Sequence, residues 1–79
     1  MNQKLQPTKL RDIELLKKIA LRVKELREQK GVSQEQMYNS SNINVARIEV
    51  AKNNITVSTL NAICRYFKIS LSEFFEPIK

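Results

Sequence analysis

The chain has 79 residues, of which 42% are hydrophobic and 28% charged, and 14 Lys and Arg against 8 Asp and Glu give a formal net charge of +6. This length fits one small domain, and the lack of both an apolar run of roughly 18 residues and a hydrophobic leader predicts a cytoplasmic protein with no membrane partner. The positive charge favours a polyanion such as nucleic acid as the partner, and a basic surface that is merely solvated is the alternative.

Residues 1–11 are polar and lack helical periodicity, and they predict a flexible basic arm ahead of a single domain over residues 12–79. Apolar side chains then recur at helical spacing as far as Lys30, which predicts a first helix. Asp12 is the candidate N-cap of this helix, and Thr8 is the alternative for an earlier start.

A helix end and a new helix start lie close together in the next segment. Gly31 suits the left-handed residue that ends a helix, and Ser33 with the Gln three residues later forms the pattern of a capping box. These signals predict a second helix over residues 33–39, which buries Met37 and has Tyr38 as a further candidate for the core.

Residues 39–42 are Asn and Ser, whose side chains bond to their own backbone, and they predict a turn after the second helix. Asn44 is a suitable N-cap for a third helix over residues 44–51. Val45 and Ile48 would lie on the buried side of that helix.

Two further helices are predicted near the C-terminus. Thr56 is the N-cap of a helix over residues 57–67, and Ser70 with Glu73 repeats the capping-box pattern ahead of a helix over residues 71–75. No segment alternates like a strand, so the sequence predicts an all-α fold, a compact five-helix bundle. The predicted core consists of Leu16, Ile19, Val23, Leu26, Met37, Ile48, Leu60, Ile63, Phe67, Leu71 and Phe74.

The composition offers little catalytic chemistry. The chain has no His and a single Cys, Cys64, which lies on the apolar stripe of the fourth predicted helix and is expected in the core. Without His, a Gly-rich phosphate loop or clustered acids, no nucleophile has an evident base and no metal has a ligand set. We therefore expect no enzyme activity, no metal and no cofactor.

Three short motifs occur in order between Gly31 and Leu60. They are Ser33-Gln34 at the start of the second helix, Ile48-Glu49 at the end of the third, and Asn54-Ile55-Thr56 ahead of Leu60. In this combination, over residues 19–76, the chain resembles the phage-repressor-like (XRE/Cro-type) helix-turn-helix DNA-binding family. The resemblance implies a lambda-repressor-like fold, double-stranded DNA as the partner, and a small transcriptional regulator such as a repressor, acting as a homodimer on a palindromic operator. An antitoxin-like partner or another protein-interaction module with the same fold is the alternative, and it would expose an apolar groove.

The chain departs from the family pattern at Ala51 and Lys68, where the family usually has Gly, and at Ile55, where it usually has Pro. The span from Gln34 to Glu49 is also about one helical turn shorter than in the better-known phage repressors. The third helix is therefore expected to be short.

The exposed side of the third helix and the turn before it carry the candidates for base reading, because in a helix-turn-helix this helix enters the major groove. Arg47 suits guanine O6 and N7, and Asn42 or Asn44 suits adenine N6 and N7. Each candidate has a structural alternative: Asn42 as the turn residue, Asn44 as the helix cap, and Arg47 in a surface ion pair.

The resemblance further implies contacts with the DNA backbone from the start of the second helix and from the loop after the third. The residues assigned to this role are Ser33, Gln34, Ser41, Lys52, Asn53 and Asn54. For Ser41 the alternative is a role in ending the second helix, and for Lys52 it is a solvated loop. The resemblance also pairs Arg27 of the first helix with Glu49, an ion pair that would fix the third helix on the scaffold.

The predicted fifth helix has more apolar side chains than one small domain can bury. Leu71, Phe74 and Phe75 occupy neighbouring positions of this short helix and cannot all face the core. Leu71, Phe75 and Ile78 are therefore the predicted homodimer interface. A monomer in which Tyr66 partly covers Phe75 is the alternative.

Overall fold

The computed structural model describes residues 11–79, and these residues form five α-helices and no strand. The helices are α1 (Ile13–Lys30), α2 (Gln34–Ser41), α3 (Val45–Val50), α4 (Val57–Phe67) and α5 (Leu71–Phe75). The all-α, five-helix class predicted from the sequence is confirmed. The predicted basic arm lies outside the described residues, apart from Arg11.

Every helix begins at a side chain that caps it. The capping residues Asp12, Ser33, Asn44, Thr56 and Ser70 each accept a hydrogen bond from the backbone N–H three residues ahead. Such a cap contributes about 0.5 to 2 kcal/mol. Both predicted capping boxes are confirmed, because the side chains of Gln36 and Glu73 accept hydrogen bonds from the backbone N–H of the capping serines. The bonds from Ser70 hold the pKa of the Glu73 carboxyl below its ordinary value.

The core lies between α1, α4 and the shorter helices. Its buried residues are Leu16, Ile19, Ala20, Val23, Leu26, Met37, Val45, Leu60, Ile63, Cys64 and Phe74. The prediction was wrong for Ile48 and Phe67, which are only half-buried at the rim, and for Leu71, which is 38% exposed. For Ile48 and Leu71 the reason is helix length: α3 and α5 have six and five residues, and each buries one side chain, Val45 and Phe74 respectively. Phe67 is the last residue of α4.

The end of α2 also differs from the prediction, because the helix continues through Ser41 instead of ending near Asn39. The hydroxyls of Ser40 and Ser41 each donate to the backbone carbonyl four residues earlier, at 3.0 and 2.6 Å. Both serines therefore stay helical, and the turn is reduced to residues 42–44. Tyr38, a further candidate for the core from its sequence position, is 48% exposed.

Four helices end at a residue in the left-handed conformation. These residues are Gly31, Asn42, Ala51 and Lys68, with φ of 76°, 65°, 63° and 59°. Gly and Asn adopt this conformation readily, whereas a side chain such as that of Ala51 or Lys68 is strained there. These two strained positions are the ones where the family usually has Gly.

We expect Ala51→Gly and Lys68→Gly each to raise the free energy of unfolding by about 0.5 to 1 kcal/mol. A residue with a Cβ costs about 1 to 2 kcal/mol in the left-handed conformation, and substitution by Gly relieves this strain. The greater freedom of Gly in the unfolded chain offsets about 0.5 to 1 kcal/mol of the stability gained. Gly31→Ala is the matched control. No heavy atom lies within 4 Å of the added Cβ, so only the strain of Ala in the left-handed conformation should lower the free energy of unfolding, by about 1 kcal/mol. Denaturant unfolding measures all three variants, and an Ala51→Gly variant no more stable than wild type would contradict the prediction.

Candidate nucleic-acid interface

A charged cluster fixes α3 against α1. Nε and Nη2 of Arg27 donate to Oε2 and Oε1 of Glu49 at 2.9 and 3.2 Å, and the two side chains are 12% and 9% exposed. Nη1 of Arg27 donates to the carbonyl oxygen of Val32 at 3.0 Å, and Nε2 of Gln34 donates to Oε1 of Glu49 at 2.9 Å. The hydrogen bond with Glu49 raises the pKa of the Arg27 guanidinium, despite the opposing effect of burial. We call Arg27, Glu49 and Gln34 the α3 clamp.

Five of the nine predicted DNA-binding residues lie around one cleft of about 310 Å³ beside α3. Asn42, Asn44, Arg47, Asn53 and Asn54 all line it. The structure thus brings together the three candidates for base reading and two candidates for phosphate binding. We call this the reading cleft.

The side chain of Arg47 is available for an external contact. It is exposed, and its guanidinium has no hydrogen-bond or ion-pair partner among residues 11–79. Its N–H donors are therefore free to meet an external acceptor. Ala46 and Val50, the other exposed residues of α3, have no hydrogen-bonding group.

Asn42 and Asn44 both take the structural roles that are the alternatives to base reading, as turn residue and as helix cap. Asn42 closes α2 in the left-handed conformation, and Oδ1 of Asn44 accepts a hydrogen bond from the backbone N–H of Arg47 at 3.1 Å. The amide NH₂ group of Asn44 is left to donate elsewhere. Base reading by either asparagine stays a prediction.

The six candidates for phosphate binding differ in the hydrogen bonds that their side chains make within the protein. The hydroxyl of Ser41 donates to the carbonyl of Met37 and accepts from the backbone N–H of Ile43 at 3.1 Å, so the turn uses both of its hydrogen-bonding directions. The hydroxyl of Ser33 caps α2, and the amide of Gln34 belongs to the α3 clamp. The remaining three, Lys52, Asn53 and Asn54, are exposed in the loop after α3.

Arg11 is a further cation at this surface, and its place there is not predicted from the sequence. Its Nη1 donates to the carbonyl oxygen of Lys52 at 3.3 Å, which brings a second positive charge to the loop after α3. The two residues are 41 positions apart, and no local sequence pattern signals such a contact. The only sequence feature that pointed to a positive charge here was the basic character of residues 1–11.

The three predicted dimer residues are unequally exposed. Leu71 is 38% exposed, whereas Phe75 and Ile78 are half-buried and pack against the core. The ring of Phe75 packs edge-on against that of Phe74, with 5.1 Å between the ring centroids. Arg22 of α1 holds this helix in place, because its guanidinium donates to the carbonyl oxygens at the end of α5, at 2.7 and 3.0 Å.

Groups that could perform covalent or metal chemistry are few in the part of the chain that the structure describes. No three His, Cys, Asp or Glu side chains are grouped there as metal ligands would be. Cys64 is 1% exposed, and burial raises the pKa of its thiol. No helix in this part is both long enough and apolar enough to cross a bilayer.

Comparison with known proteins agrees with this geometry. The sequence pattern of the helix-turn-helix family matches residues 23–74, well over half of the chain, and covers the α3 clamp and the reading cleft. No curated protein and no solved structure matched the chain. The five-helix fold and the family match together show that the chain belongs to the phage-repressor-like (XRE-type) helix-turn-helix family, a family of DNA-binding proteins.

Proposed function

We propose that the protein is a small cytoplasmic transcription regulator of the repressor type, which binds a specific palindromic sequence of double-stranded DNA as a homodimer. The observation that carries this proposal is the reading cleft, where the unpaired Arg47 lies beside Asn42, which closes α2, and Asn44, which caps α3. With α3 in the major groove, Arg47 donates to guanine O6 and N7, and Asn42 or Asn44 bonds to adenine.

Cationic groups beside the cleft supply the contacts with the DNA backbone. Lys52 is exposed in the loop after α3, and Arg11 bonds to its carbonyl oxygen. Both can reach phosphates that flank the bases read by α3, and such contacts position the protein without specifying sequence. The net charge of +6 supports this arrangement.

The homodimer part of the proposal rests on the apolar edge formed by Leu71, Phe75 and Ile78. Leu71 is exposed at the start of α5, and the other two are incompletely covered within one chain. A second copy related by two-fold symmetry would bury the same edge on both partners. It would also place two α3 helices about 34 Å apart, which is one turn of DNA.

Selection of duplexes from a random DNA pool by the full chain tests the proposal. We expect enrichment of a palindrome whose half-sites are centred about 10 base pairs apart. Enrichment of single half-sites without a palindrome would contradict the homodimer. No enrichment at low salt would contradict DNA binding altogether and would favour a protein-interaction module.

We expect Arg47→Ala to weaken binding to the selected duplex by about 1 to 3 kcal/mol and to relax base preference at one position of each half-site. Arg65→Ala is the matched control, since Arg65 is an exposed arginine in the last turn of α4, whereas the first turn of that helix borders the reading cleft. Quantitative binding to single-base variants of the duplex measures both effects. Equal losses on every sequence would instead identify Arg47 as a phosphate contact.

A further inference from the structure

α2 carries an exposed aromatic side chain next to the start of α3. Tyr38 is 48% exposed, and its hydroxyl has no hydrogen-bond partner within residues 11–79. A tyrosine that is not part of the core and has an unused hydroxyl is typical of a binding surface. This side chain is therefore available for a contact with a ligand.

Tyr38 forms one wall of a second cleft, of about 350 Å³, between α2 and the beginning of α3. This Tyr38 cleft is lined by Gln34, Glu35, Tyr38, Asn44, Val45 and Ala46. Asn44 also lines the reading cleft, so the two clefts meet at the N-cap of α3. The surface proposed to face the bases thus continues from α3 onto α2.

The shortness of α3 favours a contribution to specificity from neighbouring elements. Among the six residues of α3 only Arg47 is both exposed and able to hydrogen-bond through its side chain. One bidentate contact discriminates at a single base pair. Reading further positions requires side chains from outside α3, and those of the Tyr38 cleft are adjacent.

The chemistry of the Tyr38 cleft fits the edge of a base better than a phosphate. No Lys or Arg lines it, and the carboxylate of Glu35 would repel an anion. The ring of Tyr38 and the methyl group of Ala46 offer apolar surface, and the amide NH₂ of Asn44 offers a donor. Thymine presents this combination in the major groove, as a C5-methyl group beside the O4 acceptor.

We propose that the Tyr38 cleft is a second base-reading site, which takes the C5-methyl group of a thymine against the ring of Tyr38. This inference rests on the proposed function. It assigns specificity to a residue of α2, in addition to those of α3 and its turn.

The test uses the duplex selected by the wild-type chain, with each thymine replaced singly by deoxyuridine, which removes the methyl group alone. We expect one replacement in each half-site to weaken wild-type binding about fourfold, the effect of uncovering one methyl group. Tyr38→Phe keeps the ring and should keep this sensitivity. Tyr38→Ala should bind the unmodified duplex more weakly and should lose the sensitivity at that one position.

Asn39→Ala is the matched control, because Asn39 is an exposed neighbour on α2 that does not line the cleft, and it should behave as wild type. Thermal unfolding of each variant checks that α2 and α3 are intact. The inference is overturned if wild type binds the duplex but no deoxyuridine replacement weakens this binding. It is also overturned if the same replacement weakens binding of Tyr38→Ala and of wild type equally. In both cases the proposed function stands. If wild type selects no duplex, both are overturned.

Discussion

Replacement of Glu49 by Ala should lower the free energy of unfolding by about 3 to 5 kcal/mol, because it leaves the largely buried guanidinium of Arg27 without the carboxylate that pairs with it. The carboxylate accepts hydrogen bonds from Arg27 and Gln34, and the side chains of Arg27 and Glu49 are only 12% and 9% exposed. In a domain of this size such a loss corresponds to a fall in melting temperature of at least about 12 °C. Thermal and denaturant unfolding measure it directly.

Glu28→Ala is the control for this prediction. Glu28 is an exposed carboxylate next to Arg27 in sequence, so its removal changes the charge by the same amount without exposing a buried partner, and stability should change by less than about 0.5 kcal/mol. Joint replacement of Arg27 by Met and Glu49 by Leu should be less destabilising than Glu49→Ala, since no buried charge is left. Equal stability of Glu49→Ala and Glu28→Ala would show that the α3 clamp contributes nothing.

The second large effect concerns salt. If Arg11 and Lys52 each neutralise one phosphate in both protomers of a dimer, four contacts predict a log–log slope of about −3.6. The affinity for the selected duplex then falls about 150-fold between about 50 and 200 mM salt. Lys52→Ala removes two of these contacts and should reduce the slope by about 2. Fluorescence titrations across this range measure the slope.

Arg65→Ala serves again as the control, because it removes the same charge at the far end of α4 and should leave the slope unchanged. A slope near zero with binding intact would contradict the assignment of the phosphate contacts. A slope reduced equally by Lys52→Ala and Arg65→Ala would indicate a diffuse electrostatic attraction rather than contacts at the loop after α3.

The helix starts were predicted well from the local sequence. Each start depends on a capping side chain that bonds to a backbone N–H only three residues away. The bounds of α4 and α5 and both capping boxes are confirmed for this reason. The end of α2 was predicted wrongly because a serine hydroxyl can either break a helix or bond back to it, and the local sequence does not distinguish these outcomes.

Features that depend on tertiary packing were less predictable. The resemblance to a family, rather than periodicity, suggested that Arg27 lies next to Glu49. The contact between Arg11 and the loop after α3, and the exposure of Tyr38, follow from how the helices pack, and neither has a local pattern. The burial of Ile48 and Leu71 was overestimated because apolar character predicts burial only when a helix is long enough to present a full face to the core.

The dependence of α3 on its neighbours links binding to the integrity of the whole fold. A helix of six residues has no stability of its own in water, so α3 persists only while α1 and the start of α2 hold it. The surface it presents is preorganised, and no cost of ordering α3 opposes the arrival of a ligand. The same dependence means that a genetic screen for binding-defective variants will collect substitutions of buried residues such as Val23, far from any ligand, alongside those in the reading cleft.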